Sequence, residues 1–384
     1  MAGRQFLQIP GPTNVPERIL RELSNPLINH RGPKFEQLVT DCVAGLKKIF
    51  RTNNDILIFP SSGSGVLEST IANLFNPEDT IVTTAIGVFS DRVGLIAEKY
   101  GLKVIKIEKE WKDAINPEDV KKVLLNDAEK NIKAVCVPQN ETTTGVTNDI
   151  KVISEAIKEA GHPALLIVDA VSSLASIELE TDLWGVDIVV SASQKGLMLP
   201  PGMGIVSISE KAWKAYENST MPRWYWDYGA VREKMKTKQF PYTPAITLLF
   251  GLKESLNMLL EEGIENVWER HDLMAKAVRN AVRAMGLEVL PSEKDASSTV
   301  TAVKMPENIK YKELADTLRV KYNVIIGGGL GKLQGQIFRI GHMGAISHLD
   351  VYAVMGAIEM VLYELGYKVE LGSAAKAVAE VFVK

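Results

Sequence analysis

Ala164-Leu165-Leu166-Ile167-Val168-Asp169-Ala170-Val171-Ser172-Ser173 sets five apolar residues in a row, then a carboxylate, then small residues. So short an apolar run, stopped by polar punctuation, reads as a strand buried on both faces. The next apolar run, Asp187–Ser191, reads the same way and opens into Ser191-Ala192-Ser193-Gln194-Lys195-Gly196. Upstream, Asp55–Pro60, Thr80–Thr84, Lys103–Ile107 and Ile132–Val137 are further expected strands, and Gly204–Ser209 follows downstream. Between them the spacing predicts helices over Gly65–Phe75, Asp91–Tyr100, Pro117–Leu125 and Asp149–Ala160. Proline falls in the first turn of the third, and Gly101 stops the second. Strands alternating with helices predict an α/β domain built on a mostly parallel sheet, covered on both faces.

Beyond about residue 245 long helices take over. In Ile264–Met285 the positions Val267, His271, Met274, Val278, Ala281 and Met285 keep three-and-four spacing, and Gly286 ends the run. A shorter strand and helix pattern follows, and then an apolar helix over Val351–Leu365 closed by Gly366. The expected organisation is an extended N-terminal arm over 1–15, a large domain over 16–262 and a smaller α+β domain over 263–384. At about 150 residues per domain, a chain of 384 residues suits that division.

Composition removes several classes of function. Net charge is −3, from 44 basic and 47 acidic residues, so no field favours nucleic acid or an anionic membrane. Two cysteines, Cys42 and Cys136, are too few for a disulfide scaffold and fit a reducing compartment. The five histidines never fall into an HExxH arrangement, and no metal site is expected. MAGRQFLQIPGP lacks an apolar core long enough for a signal peptide, and no run reaches the roughly 20 apolar residues of a membrane span. A cytoplasmic protein is the expectation.

Three features could carry chemistry, and each alone has a plainer explanation. Ser61-Ser62-Gly63-Ser64-Gly65 follows a strand and opens a helix. Small residues at a helix N-terminus can cradle an anion, although a simple strand-to-helix turn looks similar. Asp169 ends a central strand, where open α/β sheets bind ligands, although aspartate there also caps helices. Lys195 sits at the next strand end among small residues, where desolvation would lower its pKa, although lysine is usually a surface cation. Taken in order, an anion cup, a strand-end carboxylate and a strand-end amine are what pyridoxal phosphate requires for its phosphate, ring nitrogen and aldehyde.

The chain resembles the fold-type I, class V aminotransferases, in particular the alanine–glyoxylate and serine–glyoxylate (serine–pyruvate) branch. The resemblance runs nearly end to end. It is carried by Pro10-Gly11-Pro12-Thr13, Asn29-His30-Arg31, Ser61–Gly65, Asn140-Glu141-Thr142-Thr143-Thr144-Gly145-Val146, Val168–Ser173, Ser193–Gly196, Pro200-Pro201-Gly202 and Phe338-Arg339-Ile340-Gly341. It implies a seven-stranded sheet and pyridoxal 5'-phosphate as cofactor. It also implies Lys195 as the Schiff-base lysine and Asp169 as partner of the ring nitrogen. Ser62, Gly63, Ser64 and Gln194 would hold the phosphate, Thr142 would bond near the ring hydroxyl, and Phe89 would stack on the ring. Thr243 would reach the phosphate of a neighbouring subunit, which makes the functional unit a homodimer with shared sites. Arg339 would clamp the substrate carboxylate. Phe240 and Tyr242 depart from the family's version of their segment, so the resemblance assigns them no role.

What this implies is transamination from a small L-amino acid, serine or alanine, to glyoxylate or pyruvate. An aspartate or phosphonate aminotransferase, a decarboxylase, or a non-catalytic subunit of a larger assembly remain open alternatives. A cysteine desulfurase fits poorly, since both cysteines lie early and Cys136 is inside a strand. Arg31 and Arg92 are candidates for a second cation that a dicarboxylic substrate would need. Two decoys remain. Gly327–Lys332 resembles a P-loop but lacks its first glycine and its Ser/Thr, and is expected to be a flexible loop beside the site. Arg223–Tyr228 is aromatic without a basic field, so a core or dimer-interface role is expected rather than base stacking.

Overall fold

The computed structural model describes residues 5–383. Among the described residues thirteen strands run in chain order: β1 (Phe6–Gln8), β2 (Asp55–Ser61), β3 (Thr80–Ala85), β4 (Lys103–Glu108), β5 (Ile132–Pro138), β6 (Asn140–Glu141) and β7 (Val146–Thr147). They continue as β8 (Leu165–Asp169), β9 (Ile188–Ala192), β10 (Gly202–Ile208), β11 (Val300–Lys304), β12 (Val324–Gly328) and β13 (Ile337–Gly341). Seven of them form one sheet in the order β2-β10-β9-β8-β5-β3-β4. Every neighbouring pair is parallel except those of β10, which runs against both β2 and β9.

The apolar run Ala164–Val168 shows why this sheet is buried. Side chains alternate between faces along a strand. In β8, Leu166 and Val168 join one core cluster while Leu165 and Ile167 join another. Helices Gly63–Leu74 and Val88–Lys99 cover the second face. Helices Pro33–Phe50 and Ile246–Glu262 cover the first.

A direction rule follows from the pairing. Strands β2, β3, β5, β8 and β9 all point the same way, so their C-terminal ends lie along one edge of the sheet. That edge is where open parallel sheets place ligands.

The second sheet has four strands in the order β1-β12-β13-β11. Its core includes Phe338 and Ile340 of β13 and the helices Ile264–Ala284, His348–Glu364 and Ser373–Phe382. The helix Ile264–Ala284 starts with Ile264 and Val267 in the large core and ends with Met274, Val278 and Ala281 in the small one. It ties the two sheets together.

The stretch expected as an N-terminal arm joins that second sheet. Phe6, Leu7 and Gln8 of β1 pair in parallel with Val324, Ile325 and Ile326 of β12, more than 300 residues away in sequence. The first four residues of the expected arm lie outside the described residues, as does Lys384. Gly327–Lys332, expected as a flexible loop, is only partly a loop. Gly327 and Gly328 belong to β12 and pair with Arg339 and Phe338, and Gly331–Leu333 forms a 3-10 turn. The ladder to β13 supplies these glycines with the hydrogen bonds that a loop would take from water.

Candidate active site

A cavity of about 290 Å³ opens where the five parallel strand ends converge. Ser62, Gly63 and Ser64 follow β2, and Phe89 and Arg92 stand on the helix after β3. Asn140 and Thr142 follow β5, Asp169 ends β8, and Gln194 and Lys195 follow β9. A larger groove of about 740 Å³, between Gln139, Lys158 and Lys294, lies away from Lys195.

Asp169 and Lys195 have their electrostatics set by enclosure. Burial pushes the Asp169 carboxyl up to about 6, with the Glu141 charge adding to the shift. A bond from Val171 N–H (2.9 Å) and the cations Arg92 and Lys195 oppose it. Burial brings the Lys195 amine down to about 8, with Arg339 and Arg92 lowering it further and Asp169 opposing them. Desolvation disfavours whichever form is charged, so it moves the acid and the amine in opposite directions. Lys195 therefore gives up its proton more readily than an exposed lysine.

The amine is covered by the N-terminal stretch. Lys195 Nζ donates to the carbonyl of Pro10, and Thr13 N–H donates to Gln194 O at 3.1 Å. Gly11 sits against the lysine at φ +95°, and a Cβ there would come within 2.5 Å of the Lys195 side chain. The sequence reading gave this segment no contact with the lysine, because strand-order arguments do not say what crosses above a strand end.

At the anion cup, Ser62 caps the helix Gly63–Leu74 by accepting from Gly65 N–H at 3.3 Å. Arg92 Nη1 donates to Ser64 Oγ at 2.8 Å, and its guanidinium lies 4.6 Å from the Phe89 ring centre. Of the two arginines left unplaced by sequence, Arg92 therefore belongs to the cup end of the cavity. Arg31 does not line it, and donates instead to the carbonyl of Phe240 at 2.8 Å.

Arg339 enters from β13 of the other sheet. Its Nε donates to Gly328 O (2.8 Å) and its Nη1 to Thr142 O (2.9 Å), so the guanidinium is held behind Thr142 and is not itself among the residues lining the cavity. Burial lowers its pKa, and the charges of Glu141 and Tyr311 oppose that shift. Thr243 is not brought into the cavity of its own chain: it is exposed and lies beside Pro60, Tyr242 and Pro244. In the aromatic run, Tyr228 is fully buried with its hydroxyl 2.9 Å from Ser69, and Trp226 packs 5.5 Å from Phe59. Trp224 is 73% exposed, so the core accounts for only part of that cluster.

Sequence reasoning passed over Glu141. It is fully buried beside the cavity and accepts backbone N–H bonds from Ser90 (2.7 Å) and Thr143 (2.8 Å). It stood within a quoted motif, but nothing in the sequence told which way its carboxylate points.

Pyridoxal phosphate can be tested against these residues. Asp169 accepts from a single N–H and faces the cavity, leaving a place for a protonated ring nitrogen. Gln194 lines the cavity, and its amide N–H₂ is a donor of the kind a phosphate oxygen accepts. The helix N-terminus with Ser62, Ser64 and Arg92 suits a phosphate. The residues fit the group.

A family model described as aminotransferase class-V matches residues 6–340. This chain belongs to the class-V aminotransferases. A serine–glyoxylate aminotransferase of Methylorubrum extorquens is 40% identical, across 98% of this chain and 95% of that protein. Equally similar, at 40% across 96% of this chain and 95% of its own length, is a Synechococcus protein named soluble hydrogenase, small subunit. The crystal structure of ureidoglycine–glyoxylate aminotransferase from Bacillus subtilis superposes with a TM-score of 0.93 at 29% identity, covering 100% of this chain and 99% of that one. The fold is that of the fold-type I aminotransferases, and the family implies pyridoxal phosphate chemistry.

Proposed function

We propose that this aminotransferase moves the amino group of a small neutral L-amino acid, serine or alanine, to glyoxylate or pyruvate. The observation that carries the reading is the cavity in which Asp169, ending β8, and Lys195, just after the adjacent parallel strand β9, have their pKa values displaced in opposite directions. A non-catalytic subunit has no need of such a pair. When bound, pyridoxal phosphate supplies a carbonyl that condenses with amines and a ring that draws electrons from the carbon attached.

The chain's own residues divide the remaining work. Ser62, Gly63, Ser64 and Gln194 would hold the phosphate, with Arg92 adjoining them. Asp169 would keep the ring nitrogen protonated, Phe89 would stack on the ring, and Thr142 would bond beside it. Lys195 would anchor the cofactor and, once released, take a proton from the substrate α-carbon and return it. A lysine with a pKa near 8 suits that exchange. Arg339, oriented by two carbonyls, would receive the substrate α-carboxylate.

The preference for neutral donors rests on charge. Arg92, the arginine that lines the cavity, is engaged at the cup by Ser64 and stacked on Phe89. A distal carboxylate buried without its own cation would cost several kcal/mol, about 10³-fold in kcat/KM. A homodimer with Thr243 serving the neighbour's phosphate is part of the same proposal, supported by the exposure of Thr243 in the single chain. So is a cytoplasmic location, supported by two buried cysteines that form no disulfide. Among the described residues, no helix is long and apolar enough to cross a membrane.

The deciding experiment measures kcat/KM for serine, alanine, aspartate and glutamate against glyoxylate, pyruvate and 2-oxoglutarate. Serine or alanine with glyoxylate or pyruvate is expected to lead. A higher value for aspartate or glutamate overturns the donor assignment, and the absence of any transamination with bound cofactor overturns the function.

A further inference from the structure

The helix Val88–Lys99 carries Phe89 and Arg92, yet it starts after Gly87, which has no side chain with which to cap it. Helix N-termini leave backbone N–H groups unpaired and favour negative charge nearby. Here the partners come from the segment after β5, more than 50 residues away in sequence. Val88 N–H donates to Thr143 Oγ1 (3.2 Å), Phe89 N–H to Glu141 Oε1 (3.4 Å) and Ser90 N–H to Glu141 Oε2 (2.7 Å). Glu141 Oε1 also accepts from Thr143 N–H at 2.8 Å, which fixes the carboxylate on its own loop. The fit is close, since a Cβ on Gly87 would stand 2.3 Å from Glu141 Cδ. In the same loop, the carbonyl of Thr142 holds Arg339.

One buried carboxylate thus joins three parts of the cavity that come from different elements. We infer that Glu141 is a positioning residue, which sets the spacing between the Phe89–Arg92 face and the Thr142–Arg339 wall. Its charge also stands among Arg92, Arg339 and Asp169, favouring the charged guanidinium of Arg339. It acts through these groups and has no part in bond making. The inference rests on the proposed binding of pyridoxal phosphate between those two walls.

The test uses two variants of the full chain. Glu141→Gln keeps the size and one acceptor oxygen but sets an amide N–H₂ against a backbone N–H and removes the charge. Gly87→Ala keeps the carboxylate and pushes it aside. Apo protein is titrated with pyridoxal phosphate and followed by tryptophan fluorescence and by visible circular dichroism of the bound cofactor. KM for the amino donor and kcat are then measured separately. Both variants are expected to melt cooperatively, to bind the cofactor about tenfold or more weakly, and to show a diminished cofactor dichroism. The donor KM should rise by more than kcat falls, because the Arg339 wall moves while Lys195 stays in place. If the parent protein binds no pyridoxal phosphate, the cofactor reading fails and takes this inference with it. If the parent binds and both variants match it in affinity, dichroism and KM, only the role of Glu141 is overturned. If neither variant folds, Glu141 is a structural plug and the inference is likewise overturned.

Discussion

The floor and the roof of the cavity are built in different ways. The floor consists of Asp169 and Lys195, each at the end of a parallel strand, and β8 and β9 are hydrogen-bonded neighbours. Their positions follow from local pattern: an apolar run of fixed length, a charged residue, then small residues. The roof is the Pro10–Pro12 stretch, of which Gly11 and Pro12 line the cavity, with Arg339 held behind Thr142 by the carbonyls of Gly328 and Thr142. It exists only because β1 pairs with β12 and β13 lies beside them, across more than 300 residues of sequence. A floor of this kind belongs to the buried core, and the proposed chemistry is assigned to it. A roof of this kind is an interface between two sheets and supplies fit. Variants of the floor should therefore damage turnover with the fold intact, while variants of the roof should spread their effect over binding and stability.

The largest expected effect is at Lys195. Lys195→Ala should fold and bind the cofactor through the cup, yet lose transamination by about 10⁴-fold or more, since the proposed anchor and the proposed base would go together. Single-turnover assays decide this, and near-normal turnover would remove Lys195 from the floor.

Asp169→Asn should cost about 10²–10³-fold in kcat, as loss of one preorganised charge does. The same variant has a signature in the apo protein. The folded pKa of Asp169 is raised to about 6 from 3.8, so between those values the folded state binds more protons than the unfolded one. Its contribution to stability is then lost as pH rises through that window, by up to roughly 3 kcal/mol above pH 6. Apo Asp169→Asn should gain on the parent between pH 4 and pH 6 in denaturant titrations. A pH-independent difference would mean that Asp169 is not desolvated.

On the roof, Arg339→Ala should raise KM for every amino donor by about 30-fold or more, with a similar factor for each because all share the α-carboxylate. A loss confined to one donor would show that Arg339 reads a side chain. Gly11→Ala should cost about 1–3 kcal/mol in stability and lower activity as well. Its φ of +95° disfavours any side chain, and the new Cβ would press on Lys195. Thermal melting and kcat measured on one preparation test the coupling of Gly11 to Lys195.

The smallest effect should come from a glycine that belongs to neither surface. Gly356 lies inside the helix His348–Glu364, and nothing stands within 4 Å of where its Cβ would be. Gly356→Ala should add about 0.5–1 kcal/mol of stability and leave kinetics unchanged. If Gly11→Ala behaved the same way, the contrast between roof and outer surface would collapse.

Much of the architecture was legible in the chain itself. The helix expected over Pro117–Leu125 is observed with those bounds, and each strand expected in the large sheet is present within two residues at either end. Buried parallel strands announce themselves as unbroken apolar runs, so β8 and β9 could be read without any partner in view. Cys136 was rightly placed inside a strand, and burial pushes its thiol up to about 12, which removes it as a nucleophile. The glycines at 327 and 328 misled because glycine signals a loop locally, whereas the ladder to β13 is a non-local fact.

The sequence by itself determined the order of strands and helices, the residues at the strand ends, and hence the chemical kinds gathered on the floor. Period-two burial and helix capping act within a few residues, and a single chain displays them openly. Only the tertiary structure decided that Pro10 covers Lys195, that Arg92 belongs to the cup and Arg31 does not, and that Glu141 points back to cap the helix bearing Phe89. These contacts join segments 28 to 209 residues apart. Their direction is set by how two sheets and their helices pack, and no local pattern of residues encodes it.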